Sequence, residues 1–345
     1  MTTRVLVTGA GGPAAIAAME SLRTDESVEL LAADMDPWAA GLYLVPPQAR
    51  TLIPAGAAEG FTDAVLDRCQ ALGVDVLLPT VDAELRPLAA ARDQFAARGI
   101  DLLLAPAAAL DVILDKVALA RHCAGVVRVP RTEPLGLANG PANGAGRTDP
   151  ASWEYPVVVK PRTGSGSRGF LIVRSAAELA ALAGEPGLLV QDLLPGEEYS
   201  IDVLADAGGR VIASVPRLRA RVDSGVSVGG RTVHDPELEA FGRAVAEATG
   251  VTFVANVQAK RDAAGRPALL EVNPRMPGTL GLTIAAGVDM PRLALDSLLG
   301  RPVPAALGFR ELAVVRFLDQ RVLSPAEIDQ LGPVLTGSGL TGTGP

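Results

Sequence analysis

The sequence is poor in the residues that build disulfide frameworks and structural zinc sites. Its 345 residues include two cysteines, Cys69 and Cys123, which lie far apart and form no CxxC pair. The two histidines, His122 and His234, have no partner pattern either, and we expect surface or structural roles for them. Cysteine usage of this kind is typical of a reducing compartment, so we expect a cytoplasmic protein.

The sequence also lacks an excess of positive charge and long apolar runs. Its 31 basic residues face 39 acidic ones, which gives a net charge of -8. We therefore expect no nucleic acid as partner. No apolar run reaches the roughly 20 residues that a membrane span needs. The first apolar run, VLVTGAGG, is too short for a signal peptide, so we expect no membrane association.

Short apolar runs alternate with helical segments in the first part of the chain. A strand leads into the GAGG turn, and the following helix leads to a second strand that ends near Asp34. Further helices are predicted at 61–73 and 84–99, with apolar strands between them. This βαβ pattern predicts a Rossmann-like parallel-sheet domain over residues 1–110.

The pattern changes in the second part, where strands follow one another through hairpin-like joins. One long helix interrupts them, PELEAFGRAVAEATG. We therefore expect α/β organisation followed by α+β organisation, with two α+β subdomains at residues 111–190 and 191–328. Residues 138–150 are expected to form an exposed loop, and residues 329–345 a flexible tail.

The glycine-rich turn of the first domain allows two interpretations. Gly9, Gly11 and Ala14 fit the form G-x-G-x-x-G/A, and Asp34 ends the next strand, as in dinucleotide-binding proteins. A nicotinamide-dependent dehydrogenase is therefore one alternative. Any tight turn between a strand and a helix favours glycine, however, so the motif by itself is weak evidence for NAD.

The most specific pattern joins Gln258 to the segment Glu271-Val-Asn273-Pro-Arg275. Glu271 and Asn273 are two residues apart on a predicted strand, so their side chains point to the same face. Gln258 lies on the preceding strand and could face them. A carboxylate with two amide oxygens suits Mg²⁺, with Mn²⁺ as an alternative. Arg275 adds a permanent cation for a phosphoryl or carboxylate group.

A second pattern places a lysine before a glycine- and serine-rich turn. Lys160 ends the apolar strand VVV and is followed by PRTGSGSRG. Backbone N–H groups of such a turn, together with the lysine charge, can bind phosphate. The order differs from a Walker A motif, because the lysine precedes the glycines. An ordinary flexible hairpin is the alternative interpretation.

Two weaker patterns complete the set. The apolar strand LLVQD ends at a polar link, with Glu198 shortly beyond it, which suits a purine edge and ribose hydroxyls. Asp115 and Lys116 open a helix before the loop.

Arg217, Arg219 and Arg221 alternate on one predicted strand, where they could bind a γ-phosphate or a carboxylate, or form a solvated basic edge.

In this order the patterns resemble the ATP-grasp superfamily, in particular the carboxylate–amine ligases similar to the large subunit of carbamoyl-phosphate synthetase. The resemblance covers residues 1 to about 320. It implies a pre-ATP-grasp domain, whose GAGG turn and Thr80, Asp82 and Glu84 face the second substrate. It also implies a metal set of Gln258, Glu271 and Asn273.

The resemblance further assigns roles at a nucleotide site. It implies that Lys116 and Lys160 bind phosphates, that Glu198 binds ribose and that Arg275 steadies an acyl-phosphate. Lys160, Asn273 and Arg275 are thus the expected catalytic residues. The remaining nucleotide contacts that we expect are Thr163, Gly164, Ser165, Gly166, Ser167 and Gly169 of a mobile loop, Gln191, Asp192 and Leu193 of an adenine-binding hinge, and Arg217.

The sequence therefore predicts an ADP-forming ligase that uses Mg-ATP to join a small carboxylate, such as an amino acid, to an amine. Its partners would be these small molecules, and the family also allows a homodimer. Three alternatives stay open: phosphorylation of a carboxylate or carbamate as in carbamoyl-phosphate synthetase, a nicotinamide-dependent dehydrogenase, and a nucleotide sensor without catalysis.

Overall fold

The computed structural model describes residues 2–136, 148–164, 169–223, 226–317 and 319–335. The strands are β1 (Thr3–Thr8), β2 (Val28–Asp34), β3 (Arg50–Leu52), β4 (Val76–Leu78), β5 (Asp101–Leu102), β6 (Thr132–Pro134), β7 (Val157–Pro161), β8 (Leu171–Val173), β9 (Leu188–Asp192), β10 (Glu198–Ala205), β11 (Val211–Asp223), β12 (Val226–Thr232), β13 (Phe253–Arg261), β14 (Pro267–Asn273) and β15 (Ala313–Val315). The helices are α1 (Pro13–Leu22), α2 (Phe61–Ala71), α3 (Asp82–Ala90), α4 (Arg92–Ala96), α5 (Ala107–Ile113), α6 (Lys116–Cys123), α7 (Ala176–Leu182), α8 (Pro236–Thr249), α9 (Leu280–Ala285), α10 (Met290–Leu298) and α11 (Pro325–Asp329).

The first sheet is parallel and has the order β3-β2-β1-β4-β5. Its central strand β1 is buried, because Val5, Leu6 and Val7 are enclosed from both faces. The strand order reverses between β1 and β4, and open α/β sheets bind ligands in the crevice at such a point. Gly9 follows β1 there at φ 63°, and a Cβ at this position would lie 2.4 Å from the Val81 side chain. The turn therefore requires glycine.

The second sheet is antiparallel, with the order β6-β9-β7-β8. Its buried side chains form a small core together with Leu179 of α7. The sheet residues of this core include Val157, Val159 and Val190. The apolar run VVV that precedes Lys160 thus forms the first three residues of β7. Lys160 ends up at the point where this strand leaves its core.

The third sheet is antiparallel and carries the order β14-β13-β10-β11-β12-β15. Helix α8 lies against it, and Gly242 allows a close approach, since a Cβ there would lie 2.5 Å from Ile201. Buried side chains of this sheet and of the first sheet belong to one continuous core. The predicted combination of a parallel-sheet domain with antiparallel α+β parts is confirmed.

Two details differ from the sequence-based predictions. The helix predicted at 84–99 is broken at Ala91 into α3 and α4, and the Arg92 guanidinium donates to the carbonyl oxygen of Leu104 at 2.6 Å. The predicted tail begins with residues that make contacts, because the Leu335 N–H donates to the Met35 carbonyl at 2.9 Å. Residues 336–345, and most of the predicted loop 138–150, lie outside the described residues.

Helix length and polarity bear on membrane insertion. Among the helices in the described ranges, none is both long enough and apolar enough to cross a bilayer.

Candidate active site

Two large cavities lie side by side and share one wall. The first, of about 750 Å³, is lined by the glycine turn, Asp34, Thr80 and Glu84, and we call it the turn cavity. The second, of about 700 Å³, is lined by Lys116, Lys160, Thr163, Gly164 and Glu198, and we call it the lysine cavity. Residues that line both cavities form the shared wall: Val81, Asp82, Gln258, Glu271 and Asn273.

The polar part of the shared wall is built by pairing between β13 and β14. Gln258 pairs directly with Glu271, and Asn256 pairs with Asn273. Directly opposite residues of antiparallel strands point to the same face, so these side chains form a compact group. A register shift follows Gln258, where Leu270 on β14 has no direct partner on β13.

The donor set of this wall fits a hard divalent cation. It offers one carboxylate and two amide oxygens, and Mg²⁺ typically takes few protein ligands and keeps waters and substrate phosphates. In the described ranges, no group of three or more His, Cys, Asp or Glu side chains has metal-binding geometry. The wall therefore suits a metal held jointly by protein and phosphate better than one held by protein alone.

Lys116 is positioned by the start of α6. The Asp115 carboxylate accepts hydrogen bonds from the Val117 and Ala118 N–H groups at 3.0 and 3.2 Å, which caps the helix. It also accepts from the Arg162 Nε at 2.8 Å. The Lys116 ammonium donates to the Gly164 carbonyl at 2.6 Å and lies 3.5 Å from the Glu271 carboxylate. The helix cap thus holds a cation beside the shared wall.

Lys160 lies in the same cavity in a poorly solvated environment. Burial is the main reason that the pKa of its ammonium group falls to about 8; the nearby Lys116 acts in the same direction, while Glu271 and Glu198 oppose it. A lysine in this state readily gains a proton when negative charge arrives. It is suited to bind phosphate, because phosphate oxygens would add negative charge beside it and stabilise its charged form.

Glu198 connects the two cavities through an ion pair. Its carboxylate lies 3.1 Å from the Arg219 Nε on the neighbouring strand β11, and Arg219 lines the turn cavity.

Gln191 is buried, and its side-chain amide donates to the Thr132 hydroxyl at 2.8 Å. The lining of the lysine cavity, as far as the structure describes it, includes none of the predicted hinge residues, Gln191, Asp192 and Leu193.

Arg217 occupies a different place from the one expected of a nucleotide contact. It is 1% exposed, and its guanidinium donates to the fully buried Asp202 carboxylate at 2.7 Å and to the Thr279 hydroxyl. Asp202 also accepts from Asn256 at 2.7 Å and from Thr283 at 2.5 Å. Arg217 lies in the same cross-strand row as Gln258, but the segment at the start of α9 covers it. Its buried ion pair argues against direct contact with ATP.

The arginine row of β11 is also less regular than the sequence indicates. The register between β11 and β12 shifts between Leu218 and Arg221, so strict alternation ends there. Arg219 reaches the turn cavity, whereas Arg221 is exposed and lines neither of the two cavities described above. The three arginines therefore do not act as one group.

The turn cavity contains a carboxyl group in an apolar setting. Glu84 is 4% exposed, and burial raises its pKa to about 7, although the Thr8 hydroxyl donates to it at 2.5 Å. Asp34 adds a small repulsive effect and itself accepts from the N–H groups of Gly11 at 2.8 Å and Asp36 at 3.0 Å. Asp34 therefore holds the glycine turn in shape as well as lining the cavity.

Arg275 and Asp82 form a two-point ion pair at the shared wall. The Asp82 carboxylate accepts from the Arg275 Nε at 2.8 Å and from its Nη2 at 2.9 Å. The pair joins α3 of the first domain to the residues just after β14. Arg275 thus faces the turn cavity, with a fixed orientation, next to the proposed metal ligands.

Sequence reasoning missed several residues that line the turn cavity. Asn256 precedes Gln258 by two residues on β13, and Ser200 pairs with Gln258 across β10. Period-two spacing from Gln258 would have found Asn256, but only the strand order brings in Ser200. Trp38 also lines the turn cavity, and no sequence pattern predicts this position for it. Among the predicted loop residues, Ser165, Gly166 and Ser167 lie outside the described residues.

Two family models match separate parts of the chain. Residues 5–103 match the description "PylC-like, N-terminal domain", and residues 184–320 match "ATP-grasp in the biosynthetic pathway with Ter operon". Among curated proteins, none matches the chain significantly in sequence.

Solved structures share the fold at low sequence identity. Pyruvate carboxylase of Rhizobium etli is 22% identical with a TM-score of 0.69; the match covers 88% of this chain, which spans only 29% of that chain. L-amino acid ligase of Bacillus licheniformis is 15% identical with a TM-score of 0.63, over 86% of this chain and 74% of that one. N5-carboxyaminoimidazole synthetase of Staphylococcus aureus, solved as an ADP complex, is 13% identical with a TM-score of 0.68, over 92% and 83%.

The predicted resemblance to ATP-grasp proteins is confirmed, because residues 184–320 match an ATP-grasp family model and the solved structures share the fold.

Proposed function

We propose that the protein is an ADP-forming carboxylate–amine ligase that uses Mg-ATP and acts through an acyl-phosphate. The observation that carries the proposal is the shared wall: a cavity with two lysines and a cavity with carboxylates meet at Gln258, Glu271 and Asn273. A phosphate donor on one side and an acceptor on the other would meet at this wall.

ATP is assigned to the lysine cavity. Lys116 and Lys160 offer charge to its phosphates, and Glu198 offers a carboxylate to the ribose hydroxyls. The volume of about 700 Å³ lies in the range of nucleotide-sized ligands. Gln258, Glu271 and Asn273 would hold Mg²⁺, which neutralises charge on the phosphates when bound.

The carboxylate and amine substrates are assigned to the turn cavity. Arg275 and Arg219 lie toward the shared wall, whereas Asp34, Asp36 and Glu84 line the first-domain part. A substrate with a carboxylate at one end and an ammonium group at the other would match both parts. We therefore favour an amino acid as one substrate.

The reaction follows from this arrangement in two steps. An oxygen of the substrate carboxylate attacks the γ-phosphorus of ATP, the bond to the β-phosphate oxygen breaks, and ADP leaves. The amine then attacks the acyl carbon, inorganic phosphate leaves, and the amine nitrogen loses a proton. Lys116, Lys160 and Arg275 contribute mainly by position and charge, which supply most of the rate in phosphoryl transfer.

Mass spectrometry of the complete reaction tests the proposal. The protein is incubated with Mg-ATP and a pool of amino acids and small carboxylates, and ADP, AMP and new products are quantified. Substrate-dependent ADP, with a product mass equal to two components minus water, is the expected result. AMP formation would contradict the acyl-phosphate route, and ATP binding without turnover under all substrates would favour a sensor.

Glu271 provides the matching variant. Glu271→Gln keeps the size of the side chain and removes its charge, so we expect loss of at least about 100-fold in ADP formation with the fold retained. Glu59→Gln, at an exposed position that lines neither cavity, is the control and should match the wild type. A fully active Glu271→Gln enzyme would contradict the metal assignment.

Cytoplasmic location and a homodimer remain part of the proposal. Carboxylate or carbamate phosphorylation without amine ligation is the closest alternative reaction. It would yield ADP and an unstable acyl-phosphate, which hydroxylamine traps as a hydroxamate. Because hydroxylamine traps the acyl-phosphate of the ligase as well, the two reactions are distinguished by adding the amine: only in the ligase should it raise turnover and give an amide in place of the hydroxamate.

A further inference from the structure

The ion pair between Asp82 and Arg275 joins two parts of the fold that are 193 residues apart in sequence. Asp82 is the first residue of α3, directly after the β4 turn of the parallel sheet. Arg275 follows β14 by two residues, next to Asn273. The contact thus connects the first domain to the proposed metal ligands.

The geometry of the pair fixes the direction of the guanidinium group. Nε and Nη2 of Arg275 donate side by side to the two carboxylate oxygens of Asp82, and Nη1 donates to the Met276 carbonyl at 3.2 Å. Two parallel hydrogen bonds of this type restrict a guanidinium group much more than a single bond does. Both side chains are less than one-fifth exposed, so solvent screens the pair weakly.

The position of the pair relates it to both cavities. Asp82 lines the turn cavity and the lysine cavity, and Arg275 lines the turn cavity. A cation that steadies negative charge on a transferring phosphoryl group must already be oriented when that charge develops. A carboxylate that pairs with the guanidinium group through two hydrogen bonds can supply this orientation.

We propose that Asp82 is a positioning residue, which acts on the ligation reaction by orienting the guanidinium group of Arg275 at the shared wall. The inference rests on the proposed ligase function. Asp82 would affect the rate of the chemical steps and the fraction of acyl-phosphate that reaches the amine. It would have little effect on ATP binding, because the lysines and Glu198 provide that.

A set of four variants tests the inference: Asp82→Asn, Asp82→Glu, Arg275→Lys and the double variant Asp82→Asn with Arg275→Lys. For Asp82→Asn we expect kcat to fall about 10- to 100-fold while KM for ATP stays within about twofold. The ratio of ADP formed to product formed should rise above one, because a misplaced Arg275 leaves the intermediate open to hydrolysis. Asp82→Glu, which keeps the charge, should recover part of the rate.

The double variant separates positioning from independent contributions. If Asp82 acts through Arg275, the double variant should be no slower than Arg275→Lys alone. Asp67→Asn is the control, since Asp67 is an exposed aspartate on α2 that lines neither cavity. Thermal unfolding of each variant shows whether the fold is kept.

The outcomes distinguish this inference from the proposed function. Additive losses in the double variant, or an Asp82→Asn enzyme with wild-type kcat and coupling, would overturn the positioning role alone. A raised KM for ATP with unchanged kcat would also overturn it, because that result assigns Asp82 to binding. A wild-type protein that forms no ADP with any carboxylate would overturn the proposed function and the inference with it.

Discussion

Lys160 in the lysine cavity and Glu84 in the turn cavity both have shifted pKa values. The shift at Lys160 bears directly on nucleotide binding. Its pKa of about 8 arises mainly because burial disfavours the charged ammonium. Bound phosphates would favour the charged form and raise this pKa. Nucleotide binding should therefore be accompanied by proton uptake in the pH range where free Lys160 is partly neutral.

Calorimetry in buffers of different ionisation enthalpy measures this uptake. We expect the binding of Mg-ADP to take up a fraction of a proton at about pH 8.5 and almost none near pH 6.5. Lys160→Met should abolish the uptake and weaken binding. Lys260→Met serves as the matched control, since Lys260 lines neither of the two cavities. Equal uptake in wild type and Lys160→Met would show that another group titrates.

Glu84 predicts a pH dependence of stability. Its pKa in the folded protein is raised from 4.5 to about 7, so the folded state favours the protonated form. The corresponding stability is fully present below about pH 4.5 and is lost as pH rises through about 7. The upper limit of the effect is about 3 to 4 kcal/mol, from a shift of about 2.5 pKa units at about 1.4 kcal/mol per unit.

Urea unfolding between pH 4.5 and 8 checks this prediction. Glu84→Gln keeps a hydrogen-bonding partner for Thr8 and removes the titrating group. The unfolding free energy of the variant minus that of the wild type should therefore become more positive as pH rises. Glu29→Gln, at an exposed surface pair with Arg4, should show no such growth. A constant difference for Glu84→Gln across this range would contradict the raised pKa.

At the scale of elements, β10 and β11 are held by a buried polar network. Asp202 on β10 accepts hydrogen bonds from Arg217, Asn256 and Thr283, and its side chain is fully buried. The network connects the sheet to α9. Removal of one charge from such a pair leaves the other charge buried without compensation, which is strongly destabilising.

The Asp202→Ala variant should therefore lose about 3–5 kcal/mol of unfolding free energy. Replacing both partners, as in Asp202→Leu with Arg217→Met, should cost less than Asp202→Ala because no charge is left unpaired. Denaturant unfolding of the three proteins gives the comparison. A double replacement that is worse than the single one would mean that the network has stabilising value beyond charge compensation.

Sequence patterns predicted some elements well and others poorly, for physical reasons. The spacing of Glu271 and Asn273 and their proximity to Gln258 followed from the period of a strand and one hairpin. The partners of Arg217 could not be predicted, because Asp202 and Thr279 come from other segments and no local sequence pattern indicates them. The break at Ala91 was missed for a similar reason: Arg92 binds carbonyl groups at the end of another strand.

At the scale of the whole molecule, the parallel-sheet fold and the antiparallel sheets were predictable from periodicity. Their arrangement into two cavities with a shared wall was not, because it depends on contacts such as Asp82 with Arg275 across the domains. The glycine turn illustrates the limit. Its sequence fits a dinucleotide site, whereas in the structure it lines a cavity that adjoins the proposed metal set.

Ligand-dependent stability of the whole chain distinguishes these two interpretations. A ligand at 100 times its Kd stabilises the folded state by about 2.7 kcal/mol. We expect Mg-ADP to raise the Tm by several degrees and NAD to leave it unchanged. Glu271→Gln should reduce the effect of Mg-ADP, while Glu59→Gln should preserve it. A rise with NAD alone would favour the dehydrogenase alternative.

The burial of both cysteines has a practical consequence for measurements in solution. Cys69 on α2 and Cys123 at the end of α6 are fully enclosed, and burial raises their pKa values to about 12 and about 11. Thiols in this state carry almost no thiolate at neutral pH and react slowly with maleimides. A cysteine introduced at an exposed position would therefore be labelled selectively without removal of the native ones. Pairs of such labels on the first and third sheets would make the chain suitable for fluorescence distance measurements during turnover.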